Sequence, residues 1–151
     1  FANAQFVQKF DAGTTIPAGW TGINGGDVNG FVFGTVPGGG QVTAAQSGSN
    51  VARIQYDAAA HDDYLVTPAI TVQAGVNDRL SFYVASYSST FTENYNVMLS
   101  TTTPTAAAFT TTLKATSKAP AAWTKVTLDL TPYVGQTVYV GFHAVDTDQW
   151  Y

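Results

Sequence analysis

Two histidines, His61 and His143, and ten carboxylates are the side chains of this 151-residue chain best suited to proton transfer or metal ligation, and no cysteine accompanies them. A hydrolytic triad can be drawn from His61, Asp57 and one of many serines. Yet no G-x-S-x-G elbow presents a serine nucleophile, and Gly48-Ser49-Asn50 reads as an ordinary turn. Zinc is usually held by His or Cys at short spacing, whereas the two histidines are far apart in sequence and no helical periodicity gathers them on one face. Glycoside hydrolysis needs two carboxylates across a cleft. Here the acids fall mostly at strand ends and turns, where a solvated cap is the plain reading. The chemistry-bearing residues therefore point to binding and away from catalysis, and His143 reads as a surface residue on the outward side of a strand.

Aromatic side chains offer a second kind of chemistry, stacking against the C–H faces of sugars or against apolar protein surface. Trp20, Trp123 and Trp150 could each serve, although the first two read as core or rim packing. Tyr83, Tyr87, Phe91 and Tyr95 cluster around a loop at 87–94. Aromatics in a loop on a rigid sandwich form a common recognition device, so Tyr87, Phe91 and Tyr95 are the candidate ligand contacts, with loop packing as the alternative. Arg53 and Arg79 read as partners for neighbouring acids.

The elements that must position these residues are strands. Apolar residues recur with a period near two over 6–10, 31–36, 51–56, 79–86, 95–100, 123–130 and 137–145. In the last of these Val138, Val140, Phe142 and Ala144 alternate with Thr137, Tyr139, Gly141 and His143, as in a strand facing core on one side. Pro17-Ala18-Gly19, Asn24-Gly25-Gly26, the stretch 37–40 and Val134-Gly135-Gln136 carry turn chemistry between the runs. A short helical turn is expected at 105–109, after Thr103-Pro104. Many short strands with Gly-rich turns predict an all-β sandwich or barrel, and the length suits one domain spanning 1–151.

Composition narrows the partners. Hydrophobic residues at 45% supply a core, while charged residues at only 11% leave the polar surface to Thr, Ser, Asn and Gln, as is common in extracellular β-proteins. A net charge of −4 without a basic stripe argues against nucleic acid and against a polybasic membrane contact. No run reaches the roughly 18 apolar residues of a membrane-spanning helix.

Four segments, in order, resemble the cleaved-adhesin family of bacterial surface proteins. Phe10-Asp11 followed by Ile16-Pro17-Ala18-Gly19-Trp20 is similar to its opening pattern, and Asp62-Asp63-Tyr64-Leu65-Val66-Thr67-Pro68-Ala69-Ile70 to its central run. The stretch from Glu93 to Thr101 comes third. Trp123-Thr124-Lys125-Val126, Asp129-Leu130 and Tyr133 to Tyr139 complete the match. Together they span residues 10 to about 145. The resemblance implies a jelly-roll β-sandwich of two antiparallel sheets, akin to galactose-binding-like and MAM-like folds. It further implies a non-catalytic module of a larger bacterial protein, secreted or at the cell surface, that binds host or environmental protein or glycan. A carbohydrate-binding module of a polysaccharide-degrading enzyme and a structural accessory domain of a secreted protease are the alternatives.

The resemblance also implies structural calcium. Asp27-Val28-Asn29-Gly30 offers two side-chain oxygens on a tight turn, and Asp11 and Asp62 could join Asp27 and Asn29 if the fold gathers them at one end of the sandwich. In the alternative reading Asp27 and Asn29 bond their own turn and Asp62 solvates a loop. Two departures stand out: the Gly-rich loop after Trp20 is thinner in acids than the family's, and the chain stops at Gln149-Trp150-Tyr151, where the family's final strand would begin. A missing strand would leave an edge open to pairing with a partner or the parent chain.

Overall fold

The structure, a computed structural model, describes residues 6–145. Its organising strand is β10 (Thr137–Ala144), whose Val138 and Val140 are fully buried. One flank of β10 pairs with β7 (Asn94–Ser100), which pairs in turn with β8 (Thr111–Lys118). The other flank pairs with two short strands in succession, β4 (Asp63–Val66) and β5 (Ile70–Thr71), and β1 (Thr21–Ile23) lies outside β4. All these pairings are antiparallel and form one six-stranded sheet.

Between β4 and β5 the chain steps at Thr67-Pro68-Ala69, because Pro68 has no N–H to give a ladder. Thr67 bridges the step. Its N–H donates to Val140 O at 2.9 Å, and its Oγ1 accepts the Val140 N–H at 3.1 Å in the buried interior.

A smaller sheet pairs β6 (Arg79–Val84) with β9 (Thr124–Asp129), and a hairpin pairs β2 (Val32–Gly34) with β3 (Val51–Arg53). Leu80, Phe82 and Leu128 pack on the buried cluster of Ile70, Val72, Val97, Leu99, Leu130, Val138 and Val140. This is the sandwich interior. The opposite side of the six-stranded sheet is covered as well: Tyr64 and Val66 bury there with Phe109, beside a 3-10 turn at Ala106–Ala108. The chain is thus all-β, a jelly-roll-like sandwich.

The strands expected at 31–36, 51–56, 79–86, 95–100, 123–130 and 137–145 all form, five of them with trimmed ends and β7 starting one residue earlier at Asn94, and the helical turn falls inside 105–109. Residues 6–10 do not form a strand. Phe10 adopts a left-handed φ of 63°, and Phe6 and Phe10 instead pack edge-on against Trp20, which stacks on Phe142. Trp150 and the expected missing strand lie outside the described residues.

Candidate functional site

Two glycines open the site. Gly25 N–H donates to Asp63 Oδ1 at 3.1 Å and Gly25 O accepts the Asp62 N–H at 2.9 Å, so the turn after β1 is clamped to the start of β4. A Cβ on Gly25 would lie 2.7 Å from Asp62 O, and one on Gly26 only 2.2 Å from Ala60 O. Gly26 also needs its φ of +86°, which other residues rarely adopt. No bulkier pair permits this approach.

The clamp delivers Asp27 to His61 and Asp63. Asp27 Oδ1 accepts the Asn29 N–H at 2.8 Å, an Asx turn that aims Oδ2 inward. There Oδ2 lies 2.6 Å from His61 Nδ1, while Asp63 Oδ2 meets the same nitrogen at 3.2 Å. The side chains of Asp27 and Asp63 are wholly buried and that of His61 nearly so. Nδ1 meets Asp63 in hydrogen-bond geometry, but Asp27 Oδ2, though closer, has no hydrogen-bond partner, and neither has His61 Nε2. Burial pushes the Asp63 carboxyl above the ordinary carboxylate range; the Gly25 N–H opposes this, the Asp27 charge adds to it and His61 opposes it. One ligand atom from each of Asp27, His61 and Asp63 falls within a 4.8 Å span, a grouping able to hold a metal ion.

The four residues expected to share calcium are not brought together. Asp11 is committed elsewhere, its Oδ1 accepting the N–H groups of Ser49 and Asn50, which hold its carboxyl below the usual range. Asp62, just ahead of β4, lies on the exposed side while Asp63 is buried. Asp62 meets His143 Nε2 at 2.7 Å. Asn29 shapes the Asp27 turn and spends its amide on Tyr56 O. Asp27 alone of the four lies in the buried cluster. Calcium prefers six to eight hard oxygens, and a set of two carboxylates and a ring nitrogen fits it poorly.

In the sequence His61 stood out only as one member of a triad drawn with Asp57 and a serine. The useful signal is His61-Asp62-Asp63 entering a strand, which sets the first and third side chains on one face. His143 does face outward, but it is half-buried, stacked on Tyr64 at 3.8 Å and held by Asp62 and Asn96.

The aromatic candidates separate in the same way. Tyr95 is not a free platform: it packs on the core, meets Phe82 edge-on and lies under the Lys114 ammonium at 4.7 Å. Tyr87 is pinned, its hydroxyl donating to Gly38 O at 2.6 Å and its ring filling the space a side chain at 40 would need. Phe91 is exposed.

Around it three loops brace one another. Gln41 N–H donates to Tyr87 O, Gln41 Nε2 to Ser89 Oγ, Ser86 N–H to Pro120 O and Trp123 Nε1 to Ala44 O. Trp123, expected to be packing, lines an open cleft of about 440 Å³ together with Gln41, Thr43, Gln46 and Ala121.

The sequence matches the Cleaved Adhesin Domain family over residues 4–151, and the chain belongs to that family. Hemagglutinin A of Porphyromonas gingivalis is 34% identical over 161 aligned residues covering 89% of this chain, while the chain spans only 7% of that relative's length. Among solved structures, the K1 cleaved adhesin domain of Lys-gingipain from P. gingivalis superposes with a TM-score of 0.69 at 26% identity, covering 92% of this chain and 88% of that one. The K3 domain of Lys-gingipain gives 0.64 at 22% identity, covering 88% and 84%, a likeness of fold.

Proposed function

We propose that the chain is a non-catalytic adhesion module of a secreted or surface-displayed bacterial protein, recognising an external protein or glycan through its braced loops at 37–46, 86–93 and 119–123. The observation that carries this reading is the Trp123 cleft, together with exposed Phe91, on loops fixed to one another by hydrogen bonds. Bracing reduces the entropy lost when a partner docks, and an aromatic anchor supplies apolar contact. Family membership and the name hemagglutinin on the relatives support adhesion. The low charge and the lack of cysteine fit a bacterial extracellular domain that relies on its core. Among the described residues no helix is long and apolar enough to cross a membrane.

A carbohydrate-binding module of a polysaccharide-degrading enzyme is the second reading, favoured by the indole of Trp123 lining an open cleft with Gln41, Thr43 and Gln46. Immobilised host-matrix proteins and a glycan array, probed with the wild-type chain, Trp123→Ala and Phe91→Ala, separate the two. Protein binding that falls at least about tenfold in either variant supports the adhesion reading. Selective binding to one polysaccharide moves the assignment to the glycan module, and ligand binding untouched by both substitutions removes the loops from the function.

A further inference from the structure

We infer that Asp27, His61 and Asp63 form a binding site for a divalent cation of the zinc class, in place of the calcium that the family resemblance implies. Three independent features of the site lead there. The first is charge. Two carboxylates are buried side by side, and among the described residues their ion pairs run to His61 alone. A dication with neutral imidazole balances both; a proton shared at Nδ1 balances one.

The second is the orphaned oxygen. Asp27 Oδ2 belongs to a side chain with no exposed surface and, apart from its 2.6 Å ion-pair contact with His61 Nδ1, makes no hydrogen bond; it shares a 4.8 Å span with Asp63 Oδ2 and that nitrogen. A buried acceptor without an aligned donor is costly, and a cation among the three atoms would satisfy it. Both carboxylates are held from behind by backbone N–H groups, of Asn29 and Gly25 respectively, so that one oxygen of each remains for the metal. Such outer hydrogen bonds orient ligands in metal sites generally.

The third is the donor set. Imidazole nitrogen with carboxylate oxygen suits zinc and its transition-series neighbours, and three protein ligands with one position left for water is a common zinc arrangement. Zinc bonds of about 2.0–2.2 Å set tetrahedral ligand atoms roughly 3.3 Å apart. The Asp63–His61 separation of 3.2 Å matches that spacing, and the Asp27–His61 separation of 2.6 Å needs only a small opening. This inference is separate from the recognition surface, since neither Phe91 nor Trp123 supplies a ligand.

The test is calorimetric titration of the chelator-stripped chain with zinc chloride and, separately, calcium chloride. One equivalent of zinc is expected to bind at least a hundredfold more tightly than calcium. Asp27→Asn and His61→Gln should each weaken zinc binding by at least tenfold, and His143→Gln should leave it unchanged. Cobalt(II) added to the wild-type chain keeps the test independent of variant folding: visible absorption bands and paramagnetically shifted signals from a single imidazole are expected. Tighter binding of calcium, no binding of either zinc or cobalt, or zinc binding abolished by His143→Gln and insensitive to His61→Gln would overturn the assignment.

Discussion

Replacing Gly26 by alanine tests the clamp between the turn after β1 and the start of β4. Two costs arise at once. A left-handed backbone costs a residue with a Cβ about 1–2 kcal/mol, and the φ of +86° imposes it. The new Cβ would also lie 2.2 Å from Ala60 O, a backbone atom that cannot rotate aside. An ordinary contact lies more than about 1 Å further out, so the two segments must part. Parting weakens the Asp62 N–H to Gly25 O bond and the Gly25 N–H to Asp63 Oδ1 bond. At about 1 kcal/mol each, the total comes to roughly 3–4 kcal/mol. For a domain of this size the midpoint should fall by about 10 °C.

Gly75→Ala and Gly135→Ala provide the comparison. Those glycines have φ of +69° and +85°, and nothing lies within 4 Å of a Cβ at either. They carry only the conformational cost, about 1–2 kcal/mol. Urea unfolding of the three variants, followed by circular dichroism, reads the difference directly. Equal destabilisation of all three would refute the reasoning, because it would mean that the close approach to Ala60 contributes nothing.

Two further outcomes are expected. Thr67→Val keeps the shape but strips the Val140 N–H of its buried acceptor, and should cost about 1–3 kcal/mol in the same unfolding assay; a neutral result would show that Thr67 merely fills space. Asp129 has its carboxyl pulled below the usual range, first by the Thr131 hydroxyl and then by the Thr131 N–H. Its pKa is lower folded than unfolded, so its contribution is present above the unfolded value and fades as pH falls through the folded one. Asp129→Asn should therefore flatten the acid limb of stability measured from pH 5 downward, and an unchanged limb would rule the contribution out.

The sandwich was legible where one face of a strand meets solvent. β6 and β9 alternate because only one side of their small sheet is covered; β10 alternates in residue type through Val138 and Val140, although its outward face is partly covered. β4 escaped periodicity for the opposite reason: all four residues of Asp63–Val66 are buried, between the interior and the Phe109 cover, so nothing alternates. β8 was missed because Thr111–Lys118 is a polar edge with register shifts against β7. Phe6 and Phe10 mimicked a strand because an aromatic cluster around Trp20 also favours spaced apolar residues. The Gly-rich turn was visible as a candidate metal loop, and Asp27 lies in the cluster. Its true neighbours were not visible, since sequence spacing says nothing about which turn a β-sandwich lays against which strand.

The contact between position 27 and position 61 has a topological meaning as well. The intervening chain contains the whole β2–β3 hairpin, which among the described residues pairs only with itself and is otherwise a long excursion from the main sheet. A bond across its base closes that excursion into a ring. If a bound cation acts there as a cross-link, a ring of about 35 residues removes loop entropy worth roughly 3.8 kcal/mol from the unfolded chain. In a chain without cysteine, such a cross-link would open to a chelator where a disulfide would need a reductant.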